Sequence, residues 1–227
     1  MKYKAVIFDL DGTLVNTLTD IANSANYAME QLSQPSFPVE SFRLKVGAGN
    51  EQLISDCLST NKQNLKDHAI KLQMAHYAEH FHDNSDAYPG IMDMLRELEE
   101  NGLKLAVLSN KPAPFTPRLV KHIFGDDFFE VAQGEQAGVP LKPDPTSALT
   151  IADKLGIAPQ QIAFVGDSAS DIQTALNAGM FAVGVTWGFR ERKELIQNGS
   201  EALIEHPDEL LPLLFNENSV KKKKCPL

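Results

Sequence analysis

Three aspartates and a lysine stand where they could act on one another. Asp9 and Asp11 follow the apolar run Ala5-Val6-Ile7-Phe8, with Gly12 and Thr13 directly after them. Ser109 and Asn110 follow the run Leu103 to Leu108, Asp167 and Ser168 follow Ile162 to Val165, and Lys142 precedes Pro143-Asp144-Pro145. If those runs are neighbouring parallel strands, their carboxyl ends share one rim, where open α/β sheets bind ligands. Asp9, Asp11 and Asp167 would then crowd together beside a hydroxyl and a lysine. Clustered carboxylates repel unless a cation neutralises them. Oxygen-only ligands suit Mg²⁺, which keeps waters and takes a substrate phosphate as a further ligand.

The elements that must position these residues are read from periodicity. The three runs are continuously apolar, as strands buried on both faces are, and Phe181 to Val185 matches them. Phe128 to Ala132 is a weaker candidate. Ile91, Leu95 and Leu98 keep helix spacing, with Gly102 placed as a helix end would place it. Ala148, Ile151, Ala152 and Leu155 do the same after Asp144 as N-cap and Pro145 as first helical residue. Strands alternating with helices predict an α/β fold with a doubly wound parallel sheet.

Residues 15–87 break that rhythm. Leu18, Ala22, Ala25, Met29 and Leu32 form one helical stripe, and Ile70, Met74, Tyr77 and Phe81 form another. Leu53, Ile54 and Leu58 suggest a helix between them, Gln34 to Pro38 reads as a turn, and no strand signal appears. A small helical insertion after the first strand is expected, set against an ordinary N-terminal helical region of the same domain. The expected division is an α/β core of 1–14 and 88–215, an insertion of 15–87 and a disordered basic tail of 216–227.

Composition narrows the function classes. The 227 residues are 43% hydrophobic and 22% charged, as in ordinary globular proteins, and long enough for a core without staples. Cys57 and Cys225 form no metal pattern, which predicts free thiols in a reducing compartment. The net charge is −9, and −13 without the four lysines Lys221 to Lys224, which argues against nucleic acid as a partner. No apolar run suits a signal or a membrane span, so a cytoplasmic protein without membrane contact is expected. The lysine tail could still meet acidic lipids, although Cys225 stands third from the end and misses the prenylation pattern.

Asp9-Leu10-Asp11-Gly12-Thr13 resembles the DxDGT signature of haloacid-dehalogenase-like (HAD) phosphatases. Three further motifs of that superfamily follow in order: Leu108-Ser109-Asn110-Lys111-Pro112, Lys142-Pro143-Asp144-Pro145, and Gly166-Asp167-Ser168-Ala169-Ser170-Asp171. They span residue 5 to about 190, and the insertion falls where that family carries its cap. The resemblance implies that Asp9 is a nucleophile forming an aspartyl-phosphate and Asp11 the acid/base. It further implies phosphate contacts by Thr13, Ser109 and the Asn110 amide, and charge compensation by Lys142. It assigns Mg²⁺ to Asp9, the Asp11 carbonyl and Asp167, with Ser168 and Asp171 supporting them. Asp171 would orient Lys142 or a metal-bound water.

Simpler roles compete with these. Asp11 could be a turn residue before Gly12, Ser109 or Asp171 a helix N-cap, and Lys142 a solvated loop residue. Arg43 and Gly47-Ala48-Gly49 resemble the cap segment that reaches the active site in phosphoglycolate phosphatases, which would make Arg43 and Gly47 candidate substrate-specificity residues, although a lone arginine there is usually a surface residue. Val46 to Gly49, Ser109 to Pro112 and Gly184 to Gly188 point to that subgroup. His76 and His80 share a helix face and could hold a metal, but a solvated helix is the simpler reading. The expected function is hydrolysis of a small phosphorylated metabolite, led by 2-phosphoglycolate, in a monomer or homodimer. Pyrophosphatase, nucleotidase, phosphosugar phosphatase and β-phosphoglucomutase-like activities share the core. A dehalogenase would not need Asp11, and a phosphonatase lacks it. A non-catalytic phosphate sensor is the alternative from another class.

Overall fold

The computed structural model describes residues 2–126 and 128–215. Along the chain run β1 (Ala5–Phe8), β2 (Val15–Asn16), α1 (Leu18–Gln31), α2 (Asn50–Cys57), α3 (Lys66–His80), β3 (Asp86–Ala87), α4 (Ile91–Glu100) and β4 (Lys104–Pro112). There follow α5 (Phe115–Phe124), β5 (Val131–Glu135), α6 (Thr146–Leu155), β6 (Ile162–Gly166), α7 (Ala169–Ala178), β7 (Phe181–Val185), α8 (Arg192–Gln197), β8 (Ala202–Ile204) and α9 (Leu210–Phe215). Six strands form one sheet in the order β5-β4-β1-β6-β7-β8, every pair parallel, which is the expected doubly wound fold.

β1, β6 and β7 are buried throughout because helices cover both faces of the sheet. Val6, Phe8, Val165 and Val183 pack into one core, and Ile7, Phe164, Ala182 and Ile172 into the other. Each of the valine, isoleucine and phenylalanine side chains among them contributes about 1.5–3 kcal/mol. That core fixes the rim: Phe8 pairs with Val107 and Val165, so the residues after it emerge side by side.

Several boundaries differ from the periodicity. β4 continues through Ser109 and Asn110 to Pro112, with a register shift after Leu108, so Ser109 caps no helix. β5 begins at Val131 rather than Phe128. α6 starts at Thr146, one residue later than expected, and the Asp144 carboxylate still takes the Thr146 N–H at 2.9 Å as a capping side chain would. β8 has only three residues, too few to show a period. The strands missing from the reading of 15–87 are β2 and β3, a two-residue antiparallel ribbon where the chain leaves and re-enters the core.

Between them the three expected helices pack together. In α1 the stripe Leu18, Ala22, Ala25 and Met29 is buried. In α3 the buried line is Ala69, Gln73 and Tyr77, while Ile70 and Met74 stay half-buried; Gln73, Met74 and Tyr77 line a cleft. His76 and His80 already have protein partners, Ser24 at 3.0 Å and Asp83 at 2.7 Å. Cys57 is a buried free thiol; Cys225 and the basic tail lie outside the described residues.

Asp20, buried in α1, closes the base of this helical segment. Its carboxylate accepts the Asn84 N–H at 2.9 Å, the Asn84 side-chain amide at 2.8 Å and the Ser85 hydroxyl at 2.7 Å. Replacing Asp20 with alanine strands these donors, so Asp20→Ala is expected to lose about 1–3 kcal/mol of stability. Urea unfolding measures it; an unchanged midpoint and slope would rule out a structural staple here.

Candidate active site

Asp9 leaves β1 with its N–H donated to the Val165 carbonyl at 2.9 Å, and its side chain is buried. The chain then turns back on itself. Gly12 (φ 89°) donates to the Val15 carbonyl at 2.8 Å, and Leu14 and Val15 both donate to Leu10. The left-handed backbone suits glycine, and a side chain at Gly12 would collide with the Asp167 carboxylate. Asp11 is thereby held beside α1 and β4. It accepts hydrogen bonds from Thr17 Oγ1 at 2.7 Å and from Lys111 Nζ at 2.9 and 3.1 Å.

Lys142 sits at the centre. Its Nζ donates to Asp9 Oδ1 and Asp171 Oδ1, both at 2.7 Å, and to the Leu108 carbonyl at 3.1 Å. All three ammonium protons therefore have acceptors. The Asn110 side chain fixes the Lys142 backbone, taking its N–H at 2.9 Å and donating to its carbonyl at 3.1 Å. The same amide donates to the Gly47 carbonyl at 2.9 Å. Asp171 is the N3 member of a capping box on α7, and Ser168 is the N-cap. The Ser168 N–H and hydroxyl hold its second oxygen at 3.0 and 2.6 Å. Asp167 accepts the Phe189 N–H at 2.6 Å and, at 3.4 Å, the Thr13 hydroxyl.

The electrostatics are unbalanced. Burial pushes the Asp9 carboxyl up to about 7 despite Lys142, with Asp171 and Asp11 adding to the rise. Asp167 is raised well above the usual range by burial, then by Asp171 and Asp9. Burial disfavours the Lys142 ammonium too, but Asp171 and Asp9 outweigh it and hold its pKa above the ordinary lysine value. Asp9, Asp167 and Asp171 bring carboxylate oxygens within 4.8 Å of one another. One ammonium, bonded to Asp9 and Asp171, stands against three carboxylates, and a hard divalent cation fits both the charge left over and the all-oxygen donors.

A cleft opens onto this cluster. Asp9, Asp11, Lys142 and Asp167 line its floor with Ser109, Asn110 and Ser168; Gly47, Leu53, Met74 and Tyr77 line the helical side. Thr13 and Asp171 are buried behind the floor. Arg43 reaches elsewhere, to Glu40 at 2.6 Å and the Gly188 carbonyl at 3.0 Å.

Residues 6–185 match the haloacid dehalogenase-like hydrolase family. The chain belongs to that family. It is 34% identical over 215 residues to a phosphoglycolate phosphatase of Pseudomonas putida, covering 92% of this chain and 79% of the relative. A Mannheimia succiniciproducens phosphoglycolate phosphatase is 34% identical over 221 residues, covering 94% and 99%. A solved structure from Lactobacillus delbrueckii subsp. bulgaricus, provisionally described as a phosphoglycolate phosphatase, superposes with a TM-score of 0.88 at 31% identity, covering 96% and 100%. Family and relatives together make this HAD-like chain an enzyme of phosphatase type.

Sequence reasoning assigned no role to Lys111, Thr17 or the Phe189 N–H. Lys111 lies inside a motif already singled out, and a lysine directly before proline at a strand end was the available signal. Burial opposes its ammonium, yet Asp11, with Tyr77, keeps its pKa above the ordinary lysine value. Its Nζ also lies 4.8 Å from the Tyr77 ring centre.

Because Asp9 titrates near 7 without a cation, cation binding must displace its proton below that pH. Calorimetry of Mg²⁺ binding in buffers of different ionisation heat is expected to show proton release that grows as pH falls from 8 to 6, with the raised Asp167 adding to Asp9. Release independent of pH would contradict the raised Asp9.

Proposed function

We propose that this HAD-like enzyme is a Mg²⁺-dependent phosphatase of small phosphomonoesters, working through an aspartyl-phosphate on Asp9, with 2-phosphoglycolate as its leading substrate. The observation that carries the reading is Lys142 Nζ at 2.7 Å from Asp9 Oδ1 on the cleft floor, with Asp11 on a separate ion pair. The substrate is supported by the relatives named above. In this reading the helical segment within 15–87 is the cap over a core of 1–14 and 88–215. A cytoplasmic setting without nucleic-acid or membrane partners agrees with an acidic chain in which, among the described residues, no helix is long and apolar enough to cross a membrane.

Asp9, the Asp11 carbonyl and Asp167 would hold Mg²⁺, which when bound neutralises charge on the carboxylates and the phosphoryl oxygens. An Asp9 oxygen attacks phosphorus while the ester P–O bond breaks, and Asp11 gives its proton to the departing oxygen. Asp11 then takes a proton from water, which attacks phosphorus and releases Asp9 and inorganic phosphate. Lys142 stays bonded to Asp9 and offsets charge on the transferring group. Ser109 and the Asn110 N–H bind phosphoryl oxygens, with Thr13 beneath them. Asp11 accepts hydrogen bonds in the arrangement seen, the form the second step needs.

Asp9→Asn is expected to keep the fold and lose nearly all hydrolysis, since a neutral amide is a poor nucleophile and metal ligand. Activity within about tenfold of the parent would refute the covalent route.

Asp11→Asn separates proton transfer from binding, because its backbone carbonyl remains. It should lose on the order of 10²–10⁴ in rate on 2-phosphoglycolate, whose alkoxide leaving group needs the proton. With p-nitrophenyl phosphate the loss should be smaller, and mass spectrometry should find phosphate retained on Asp9. Equal losses without an adduct would leave Asp11 a turn residue. A non-catalytic sensor would show phosphorylation without turnover in the parent protein.

A further inference from the structure

Arg43 lies in the short 3₁₀ turn Val39–Leu44 of the helical segment, far from Asp167 in sequence. Its Nη1 donates to the Gly188 carbonyl at 3.0 Å, and Glu40 steadies its Nε at 2.6 Å. That carbonyl belongs to the peptide whose N–H, on Phe189, donates to Asp167 Oδ2 at 2.6 Å. A single peptide unit thus carries a guanidinium on its oxygen and a carboxylate on its N–H. Hydrogen bonds in such a chain polarise one another and strengthen together.

The peptide has little freedom to move. A side chain at Gly188 would collide with Asp167 and with the Gly12 carbonyl. Next to it, Trp187 Nε1 donates to the Thr13 carbonyl at 2.9 Å. Arg190 returns the connection, donating to the Val46 and Leu44 carbonyls at 3.0 and 3.2 Å. Two arginines therefore cross in opposite directions between residues 43–46 and the loop after β7.

We propose that Arg43 is a positioning residue for Asp167, acting through the Gly188–Phe189 peptide. Docking of the helical segment and the set of the Asp167 carboxylate are then one coupled event, so whatever favours either favours the other. The inference rests on the active-site reading above, which makes Asp167 a metal ligand.

Trp187 is the chain's one tryptophan, so its emission reports this loop directly. Arg43→Ala and Arg43→Lys are to be compared with the parent protein in three measurements: acrylamide quenching of Trp187, calorimetric Mg²⁺ affinity, and kcat and KM on 2-phosphoglycolate and p-nitrophenyl phosphate. Arg43→Ala is expected to weaken Mg²⁺ binding about tenfold, the lower end for loss of a partner behind a metal ligand. It should also expose Trp187 to the quencher and lower kcat/KM for both esters by one common factor, with lysine restoring part of each. Unchanged Mg²⁺ affinity and quenching would overturn the proposal. So would a defect confined to KM for the carboxylated ester, which would make Arg43 a substrate contact. If the parent hydrolyses neither ester, the proposed function fails, while Mg²⁺ affinity and Trp187 quenching still decide the role of Arg43.

Discussion

The crowding of buried carboxylates around one lysine is the constraint on which the rest of the site depends. Asp9, Asp167 and Asp171 place oxygens within 4.8 Å of one another. At the effective dielectric of protein sites each such pair of like charges costs on the order of 3 kcal/mol. Lys142 offsets part of this through two contacts of 2.7 Å, and the remainder adds to the rise that burial, the larger cause, gives the pKa values of Asp9 and Asp167. A surface cluster would relieve itself by turning outward. Here the sheet prevents it, because β1 and β6 are locked in parallel register between two apolar layers and deliver Asp9 and Asp167 to adjacent strand ends. Hydrophobic burial in the core is what keeps the like charges together.

Much of the local architecture makes room for that cluster. Gly12, Gly166 and Gly188 each lie where a Cβ would overlap Asp167 or Asp171. The capping box spends one oxygen of Asp171 on α7 and leaves the other for Lys142. Helix start and charge placement are therefore the same event. Removing either partner of such a buried pair leaves an uncompensated charge, typically at a cost of about 3–5 kcal/mol.

The strands and their terminal aspartates were legible in the sequence because continuous apolar runs followed by charge carry local information. So were α1 and the existence of α2 and α3, whose stripes keep a helical period. The ribbon β2–β3 and the edge strand β8 were not legible; two or three residues have no period, and only their neighbours make them strands. β4 outran its apolar run because its extension is set by pairing of Pro112 with Glu135 on another strand. The bonds of Asn110 to Lys142, Lys111 to Asp11 and Arg43 to Gly188 span 32, 100 and 145 residues. No local pattern predicts such contacts. The motif order placed those residues on one rim without saying which atoms meet.

Two aspartates separated by one residue end in different electrostatic surroundings, and the helical segment helps to keep them apart. Asp9 belongs to the Lys142 cluster, at the point where the chain leaves the sheet. Asp11, beyond the turn at Leu10, belongs to Lys111 and Thr17. Pairs of carboxylates placed so differently suit different chemical tasks, which is how one site can hold both a nucleophile and a proton carrier. Tyr77 of α3 covers Lys111 on the Asp11 side, and Arg43 reaches the peptide that holds Asp167 on the other. Residues from one helical segment thus touch the supports of both the proposed proton carrier and the proposed metal ligand. Displacing that segment would do more than open the cleft: it would loosen both supports at once, so that the proposed reaction would be fully assembled only when the segment is docked.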